Sequence, residues 1–133
     1  RSPVRETQQK ICFVGSRFDK TQIQQYQLRR RVIMHIVEVV MRAKDGDIQR
    51  TLEWWKGLVQ KNGAYSKNGQ ALSRMDGENS VLIARHTFDD LGEEGRFWDT
   101  WNGSDAAEYA GENWNEYVDG PPSFHRYAIL HSY

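Results

Sequence analysis

The longest apolar stretch of the chain, residues 32–41, constrains the fold most, because a segment so poor in polar side chains must be largely buried. Polar residues recur through residues 21–44 at the i, i+4, i+7 and i+11 spacing of one narrow helix face. They are Arg31, His35, Glu38 and Arg42. This spacing predicts a long helix over residues 21–44. The β-branched side chains of residues 32–40 also suit a central strand, and that alternative stays open.

A second helix is predicted over residues 48–62. Asp47 can cap its start by accepting a backbone N–H bond, and Gly63 follows it as a stop signal. The apolar face of this helix is formed by Ile48, Leu52, Trp55, Leu58 and Val59. Trp54 is expected to point away from that face. Because the break between the two helices is short, they are predicted to form an antiparallel pair.

Strands are predicted on either side of the helix pair. Residues 10–14 and 80–85 are short apolar runs bounded by turn-forming residues. Residues 123–132 form a third such run after a turn at residues 119–122, which contains Gly and two Pro. Residues 63–79 are rich in Gly, Asn and Ser, so they are expected to form an exposed loop with one helical turn at residues 71–75.

Two further helices complete the prediction. Residues 93–101 form a short one, and Asp105 and Glu108 resemble the capping box of a helix that ends near Val118. The whole pattern indicates an α+β fold. It is a single domain over residues 1–133, in which a long amphipathic helix pair packs on a small sheet of about three strands. Residues 1–8 are polar and are expected to be a loose N-terminal segment.

Composition excludes several classes of protein. The 133 residues are 38% hydrophobic and 27% charged, which is typical of a globular domain and not of a disordered tail. No apolar run reaches the roughly 18 residues that a membrane helix needs, so no membrane contact is expected. Cys12 is the one cysteine, so the sequence has no intramolecular disulfide and no cysteine-based zinc site. A reducing intracellular compartment is expected, either the cytoplasm or an organelle matrix.

The formal net charge of zero conceals two halves of opposite charge. Residues 1–74 carry 15 Lys and Arg against 6 Asp and Glu, a net charge of +9. Residues 75–133 carry 3 against 12, a net charge of −9. Either the halves pack together and neutralise one another, or each half faces a different partner. On the second interpretation the basic half binds RNA or another acidic surface.

The acidic half also holds most of the aromatic residues. Trp and Tyr are common at protein interfaces because one end of the ring is apolar and the other is polar, although a small chain also needs them in its core. The first hypothesis is therefore a non-enzymatic binding or assembly protein that engages a protein partner and, through its basic half, RNA. The residues predicted to face these partners are Arg29, Arg30, Arg31, Trp54, Trp98, Trp101 and Trp114.

Histidines and carboxylates of the second half carry the alternative hypothesis, a small nuclease-like hydrolase. Two histidines can act as base and acid in phosphodiester cleavage, and a site of this kind forms if strands 80–85 and 123–132 are neighbours. His125 and His131 are six residues apart, so on one strand both face the same way. The residues of this alternative are His86, Asp89, Asp90, His125 and His131. Metal-ligand spacings are missing, and neither a metal nor a cofactor is expected.

Overall fold

The computed structural model describes residues 34–61, 68–77 and 80–133. The described strands are β1 (His35–Ala43), β2 (Gly69–Ser73), β3 (Val81–Phe88) and β4 (Val118–Ala128). The described helices are α1 (Ile48–Lys61), α2 (Leu91–Asn102) and α3 (Asp105–Tyr117). A short 3-10 turn at Lys44–Gly46 joins β1 to α1. These elements confirm an α+β fold. The described sheet has four strands where about three are predicted, and three of the four predicted helices are present.

The four strands form one antiparallel sheet in the order β2-β3-β1-β4. Helix α1 connects β1 to β2, and helices α2 and α3 connect β3 to β4. Each of these two connections crosses over one intervening strand. Because crossovers of this kind share one hand, both place their helices on the same face of the sheet. The order of elements is that of ferredoxin-like domains, with α2 and α3 in place of a single helix.

The apolar stretch at residues 35–43 is a central strand, so the prediction of a long helix is wrong there and the strand alternative is confirmed. Alternate residues of β1 are buried, from His35 to Ala43. Strand β1 pairs with β3 on one side and with β4 on the other. A central strand with β-branched side chains is hydrogen-bonded to a neighbouring strand at each edge. This pairing stabilises the strand conformation more than the helical spacing of the polar residues stabilises a helix. Residues 10–14 and 21–33 lie outside the described part of the chain, as do residues 1–8.

The segment predicted as an exposed loop contains strand β2, so the helical turn expected at residues 71–75 is wrong. Gln70 pairs with Arg85 and Leu72 with Ile83 on the neighbouring strand β3. Most side chains of β2 are exposed. Hydrogen bonds to the partner strand hold an edge strand of this kind in place, and burial of its side chains contributes little. Its sequence therefore lacks the alternation of apolar and polar residues that predicts a strand.

Helices α1, α2 and α3 begin and end within two residues of the predicted bounds wherever those bounds are described. Ser104, one residue before the expected cap, accepts the backbone N–H of Ala107 at 3.1 Å and so caps α3. Asp90 caps α2 in the same way by accepting from Glu93 at 2.7 Å. These bonds satisfy donors that the first helical turn leaves without a partner.

The turn predicted at residues 119–122 is part of β4. The pairing register between β1 and β4 shifts between Val40 and Arg42, and Gly120 has a φ of 72°. Glycine reaches this left-handed conformation without steric cost, so the turn residues bend the strand and do not end it. The strand predicted over residues 123–132 therefore starts earlier, at Val118, and ends at Ala128.

Candidate functional site

The two faces of the sheet differ in what covers them. The three helices cover one face, where their side chains pack on the buried positions of the strands. No described helix lies on the other face, which carries the alternate residues of the same strands. We call this second surface the open face. It is formed by Ile36, Glu38, Val40, Gln70, Leu72, Ile83, Arg85, Thr87, Ser123, His125 and Tyr127.

A buried polar cluster lies on the helix side, around the carboxylate of Glu94 in α2. Nε2 of His35 lies 2.7 Å from its Oε1, and Nε1 of Trp98 donates to Oε2 at 2.8 Å. Arg126 of β4 donates to Oε2 from Nη2 at 2.8 Å and from Nε at 3.2 Å. Both carboxylate oxygens are engaged, so Glu94 acts as a junction between β1, α2 and β4.

The ionisation of this cluster follows from its surroundings. Burial raises the pKa of Glu94, but hydrogen bonds from His35, Arg126 and Trp98 outweigh it, so the pKa lies below its usual value. His86 lies on the same side of the sheet, with its ring centroid 4.9 Å from that of Phe97. Burial lowers the pKa of His86 to about 4, although the negative charge of Glu94 opposes the shift. A neutral imidazole and an ionised carboxylate are thus held close together in the core.

A charged row crosses the open face from edge to edge. Glu38 on the central strand β1 pairs with Arg85 on β3 and with His125 on β4, and Arg85 in turn pairs with Gln70 on β2. Residues paired in this way share one face of the sheet. The Nε atom of Arg85 is buried and has no hydrogen-bond partner in the described part of the chain. A hydrogen bond from the hydroxyl of Tyr127 also reaches Glu38.

Apolar side chains lie on both sides of the charged row. Val40, Ile83 and Leu72 form a second row across three strands, one step along the sheet. Ile36 and Tyr127 lie on the other side, and Tyr127 is 49% exposed. An antiparallel sheet with a solvated face shows polar side chains there. The open face alternates apolar and charged rows instead.

The four tryptophans predicted to face a partner belong to the core. Trp54, Trp98, Trp101 and Trp114 are between 5% and 8% exposed. The ring of Trp54 stacks on Tyr117 at a centroid distance of 5.0 Å and meets the edge of Trp114 at 5.9 Å. The expectation that Trp54 points away from the apolar face of its helix is therefore wrong, and outward-facing rings are wrong for all four. Trp54 and Trp114 pack between α1 and α3, whereas Trp98 packs on Phe124 of β4 and Trp101 on Trp55 of α1.

The residues of the hydrolase alternative do not converge. His86 is buried on the helix side, whereas His125 lies exposed on the open face. His131 follows the end of β4, so it shares no strand face with His125, which corrects the spacing argument. Asp90 is engaged as the cap of α2, and Asp89 is exposed beside it. The backbone of the sheet separates the two histidines that were to act as a pair.

The basic cluster Arg29, Arg30 and Arg31 lies outside the described part of the chain. Residues 1–33 carry a net charge of +6, whereas residues 34–61 carry only +1. Ion pairs of the described residues join the first half to the second, among them Lys44 with Asp119 at 3.2 Å and Arg50 with Glu116 at 3.1 Å. The described part of the basic half is thus partly neutralised by the acidic half.

Sequence reasoning missed Glu38, Arg85, Glu94 and Arg126, which organise the two polar groups. The predicted helix over residues 21–44 puts Glu38 on a helix face, where its partners on other strands are not visible. The one signal for Arg85 and Arg126 is their place in the chain, since each is a charged residue within a segment that is predicted as a strand. Glu94 carried no signal of its own, because surface helices contain many glutamates.

Comparison with known proteins identifies the fold only. No protein-family model and no curated protein sequence matches the chain. A solved structure from Caulobacter crescentus, provisionally assigned as an antibiotic biosynthesis monooxygenase, has a TM-score of 0.57 at 14% identity and covers 80% of this chain and 99% of its own. A NIPSNAP family protein from Agrobacterium tumefaciens has a TM-score of 0.57 at 14% identity, covering 74% and 93%. A Nitrosomonas europaea protein of unknown function reaches 0.56 at 14% identity, covering 76% and 93%. At these identities the likeness extends to the fold and not to function.

Two further observations bear on cofactors and membranes. Within residues 34–61, 68–77 and 80–133, no three His, Cys, Asp or Glu side chains are grouped so that they could hold a metal ion. None of the helices in the same ranges has the length and apolar character needed to cross a membrane.

Proposed function

We propose that the chain is a binding and assembly domain that forms a homodimer through the open face of its sheet. The observation that carries this proposal is the open face itself, which alternates apolar rows with the Arg85–Glu38–His125 row and has no described helix over it. Burial of the apolar rows supplies the driving force for association. The charged row supplies the orientation.

Charge complementarity favours a second copy of this chain as the occupant. A two-fold axis that runs along the strands between β1 and β3, midway between two facing sheets, places Glu38 of one copy opposite Arg85 of the other. The same axis places Arg85 opposite the second Glu38, as symmetric interfaces require. The apolar row then meets itself, with Val40 opposite Ile83. The buried Nε of Arg85, which has no described partner, gains an acceptor in this arrangement.

The open face has the extent that a dimer needs. Four strands spaced by about 4.8 Å span roughly 19 Å, and a nine-residue strand such as β1 is about 30 Å long. This flat extent is of the same order as the roughly 800 Å² that each partner buries in a stable interface.

The test exchanges charges between copies. In Glu38→Arg both facing positions become positive, and in Arg85→Glu both become negative, so each variant alone should be monomeric in sedimentation velocity while the wild type is dimeric. An equimolar mixture of the two variants should form a heterodimer, because every facing pair is then of opposite charge. Glu112→Arg on the exposed face of α3 is the control and should remain dimeric.

Three outcomes overturn the proposal. In the first, the wild-type chain stays monomeric up to about 100 μM. In the second, both single variants form dimers with the same affinity as the wild type. In the third, the mixture of the two variants forms no heterodimer. If the wild type is monomeric and the open-face side chains of β1 and β3 still resist covalent labelling, another part of the same chain covers that face.

RNA binding by Arg29, Arg30 and Arg31 stays a prediction from the sequence. The hydrolase alternative has no observation in its favour, because its histidines lie on opposite faces.

A further inference from the structure

We propose that Asn68 is a modification site, where spontaneous deamidation converts the side-chain amide into a carboxylate. An asparagine followed by glycine favours this reaction, because glycine has no side chain to shield its backbone nitrogen. The chain contains this pair at Asn62, Asn68 and Asn102. Asn62 lies outside the described residues, and the structure places the other two in opposite surroundings. The inference is independent of the proposed homodimer.

The reaction joins the backbone nitrogen of Gly69 to the side-chain carbon Cγ of Asn68. The new N–C bond closes an imide ring, and the bond from Cγ to the side-chain nitrogen breaks. That nitrogen leaves as ammonia, with the proton that the Gly69 nitrogen gives up. Water then opens the ring at either carbonyl carbon. The product is aspartate, or an isoaspartate whose backbone runs through Cβ, and no group is oxidised or reduced.

The backbone nitrogen of Gly69 is available because β2 is an edge strand of the described sheet. The N–H of Ala43 donates to the carbonyl of Ser80 at 2.8 Å, which fixes the residues of β3 whose backbone groups point towards β1. Hydrogen-bonded pairs recur at every second residue, so the even-numbered residues of β3 face β1 and the odd-numbered ones face β2. Arg85 therefore exchanges hydrogen bonds with Gln70. The N–H of Gly69 points away from β3, at the outer edge of the sheet.

The side chain of Asn68 is equally accessible. Asn68 is exposed and lies in a turn directly before the first residue of β2. Water, which the second step consumes, can reach its side-chain carbonyl. Exposed turn backbone next to an edge strand opens at little cost in free energy, so the ring can close without unfolding the domain.

Asn102 has the same neighbour in the sequence but is protected by the fold. It is the last residue of α2, and the N–H of Gly103 donates to the carbonyl of Asp99 at 3.3 Å. The Oδ1 atom of Asn102 is buried. The nitrogen of Gly103 must give up its hydrogen bond and the end of the helix must open before the ring can form. Asn102 is therefore an internal control with an identical reacting pair.

The test incubates the full folded chain at pH 8 and, in parallel, the chain unfolded in guanidinium chloride. Trypsin places the three asparagines in separate peptides, 62–67, 68–74 and 97–126, and mass spectrometry measures the replacement of NH₂ by OH in each. Rates are taken while the circular dichroism of the folded sample is unchanged. Asn68→Gln is the control variant, and its peptide 68–74 should keep its mass.

The expected result is a different effect of folding at the two sites. Asn68 should react in the folded chain within about 3-fold of its rate in the unfolded chain, whereas folding should slow Asn102 at least about 10-fold, which corresponds to about 1.4 kcal/mol of activation free energy. Equal rates at Asn68 and Asn102 in the folded chain would overturn the proposal. An Asn68 that reacts only in the unfolded chain would overturn it as well.

Discussion

Nε2 of His35 lies 2.7 Å from Oε1 of Glu94, although the two residues are 59 positions apart in the sequence. His35 is 3% exposed and Glu94 is 2% exposed. The contact joins the first residue of β1 to the first turn of α2, and the same carboxylate holds Arg126 of β4. One carboxylate therefore links two strands to helix α2, so its removal should lower the stability of the whole domain.

Replacing Glu94 with Gln should lower the free energy of unfolding by about 3 kcal/mol, because the half-buried Arg126 and the buried His35 lose their charged partner. Urea unfolding followed by tryptophan fluorescence measures the loss. The matched control is Glu112→Gln on the exposed side of α3, which should change stability by less than about 0.5 kcal/mol. Equal effects of the two substitutions would contradict the role of Glu94 as a junction.

Stability should fall as the pH is lowered from 6.5 towards 4. The pKa of His86 is about 4 in the folded chain against 6.5 for an exposed histidine, so the unfolded chain takes up this proton first. The loss from this group begins below pH 6.5 and reaches about 3 kcal/mol near pH 4. Because the pKa of Glu94 is also lowered on folding, it adds a further loss below its usual value of 4.5.

The variant that isolates the histidine contribution is His86→Gln. Between pH 7 and pH 5, the unfolding free energy of this variant should depend less on pH than that of the wild type. At lower pH, where Glu94 titrates, the two pH dependences should become equal. A variant that loses stability as steeply as the wild type over the upper range would show that another group is responsible.

Trp114→Phe should destabilise the domain more than Trp54→Phe, by about 1–2 kcal/mol. Both substitutions shorten a core ring by the same amount. Nε1 of Trp114 donates to the carbonyl of Gly120 at 2.8 Å, whereas Nε1 of Trp54 has no partner among the described residues. Only the first substitution leaves a carbonyl without its donor. Thermal or urea unfolding of the two variants gives the difference, and equal losses would show that the hydrogen bond adds nothing.

Ser104→Ala should cost about 1 kcal/mol, because the first turn of α3 loses the oxygen that accepts the Ala107 N–H. Asp105→Ala should cost only a few tenths of a kcal/mol, since Asp105 interacts with the helix dipole and does not cap the helix. Chemical denaturation of both variants measures the two losses. The reverse order would restore Asp105 as the capping residue.

Local signals predict helices α1, α2 and α3 and strand β3 correctly. Helix α1 follows from one apolar face and flanking Asp47 and Gly63, and β3 from a short apolar run between turn residues. Such signals depend on neighbours within one or two turns of the chain, so they are visible in the sequence. The capping residue of α3 was misplaced by one position because Ser104 and Asp105 are equally good acceptors.

The candidate sites were beyond the reach of the sequence for a geometric reason. His86 and His125 belong to different strands, and their separation onto two faces depends on which alternate residues the helices cover. Glu38 and Arg85 are 47 positions apart and meet only because β3 pairs with β1 in a particular register. A shift of one residue in that register would exchange the faces of every side chain.

The sequence by itself determined an α+β chain with three described helices, a strand at β3 and two halves of opposite charge, since these follow from composition and from spacing along the chain. Tertiary structure decided that residues 35–43 are a central strand, that β2 exists, and that the tryptophans lie inside. The reason is that an apolar, β-branched segment gains burial in either conformation, and the strand prevails here because partner strands pair with it on both edges.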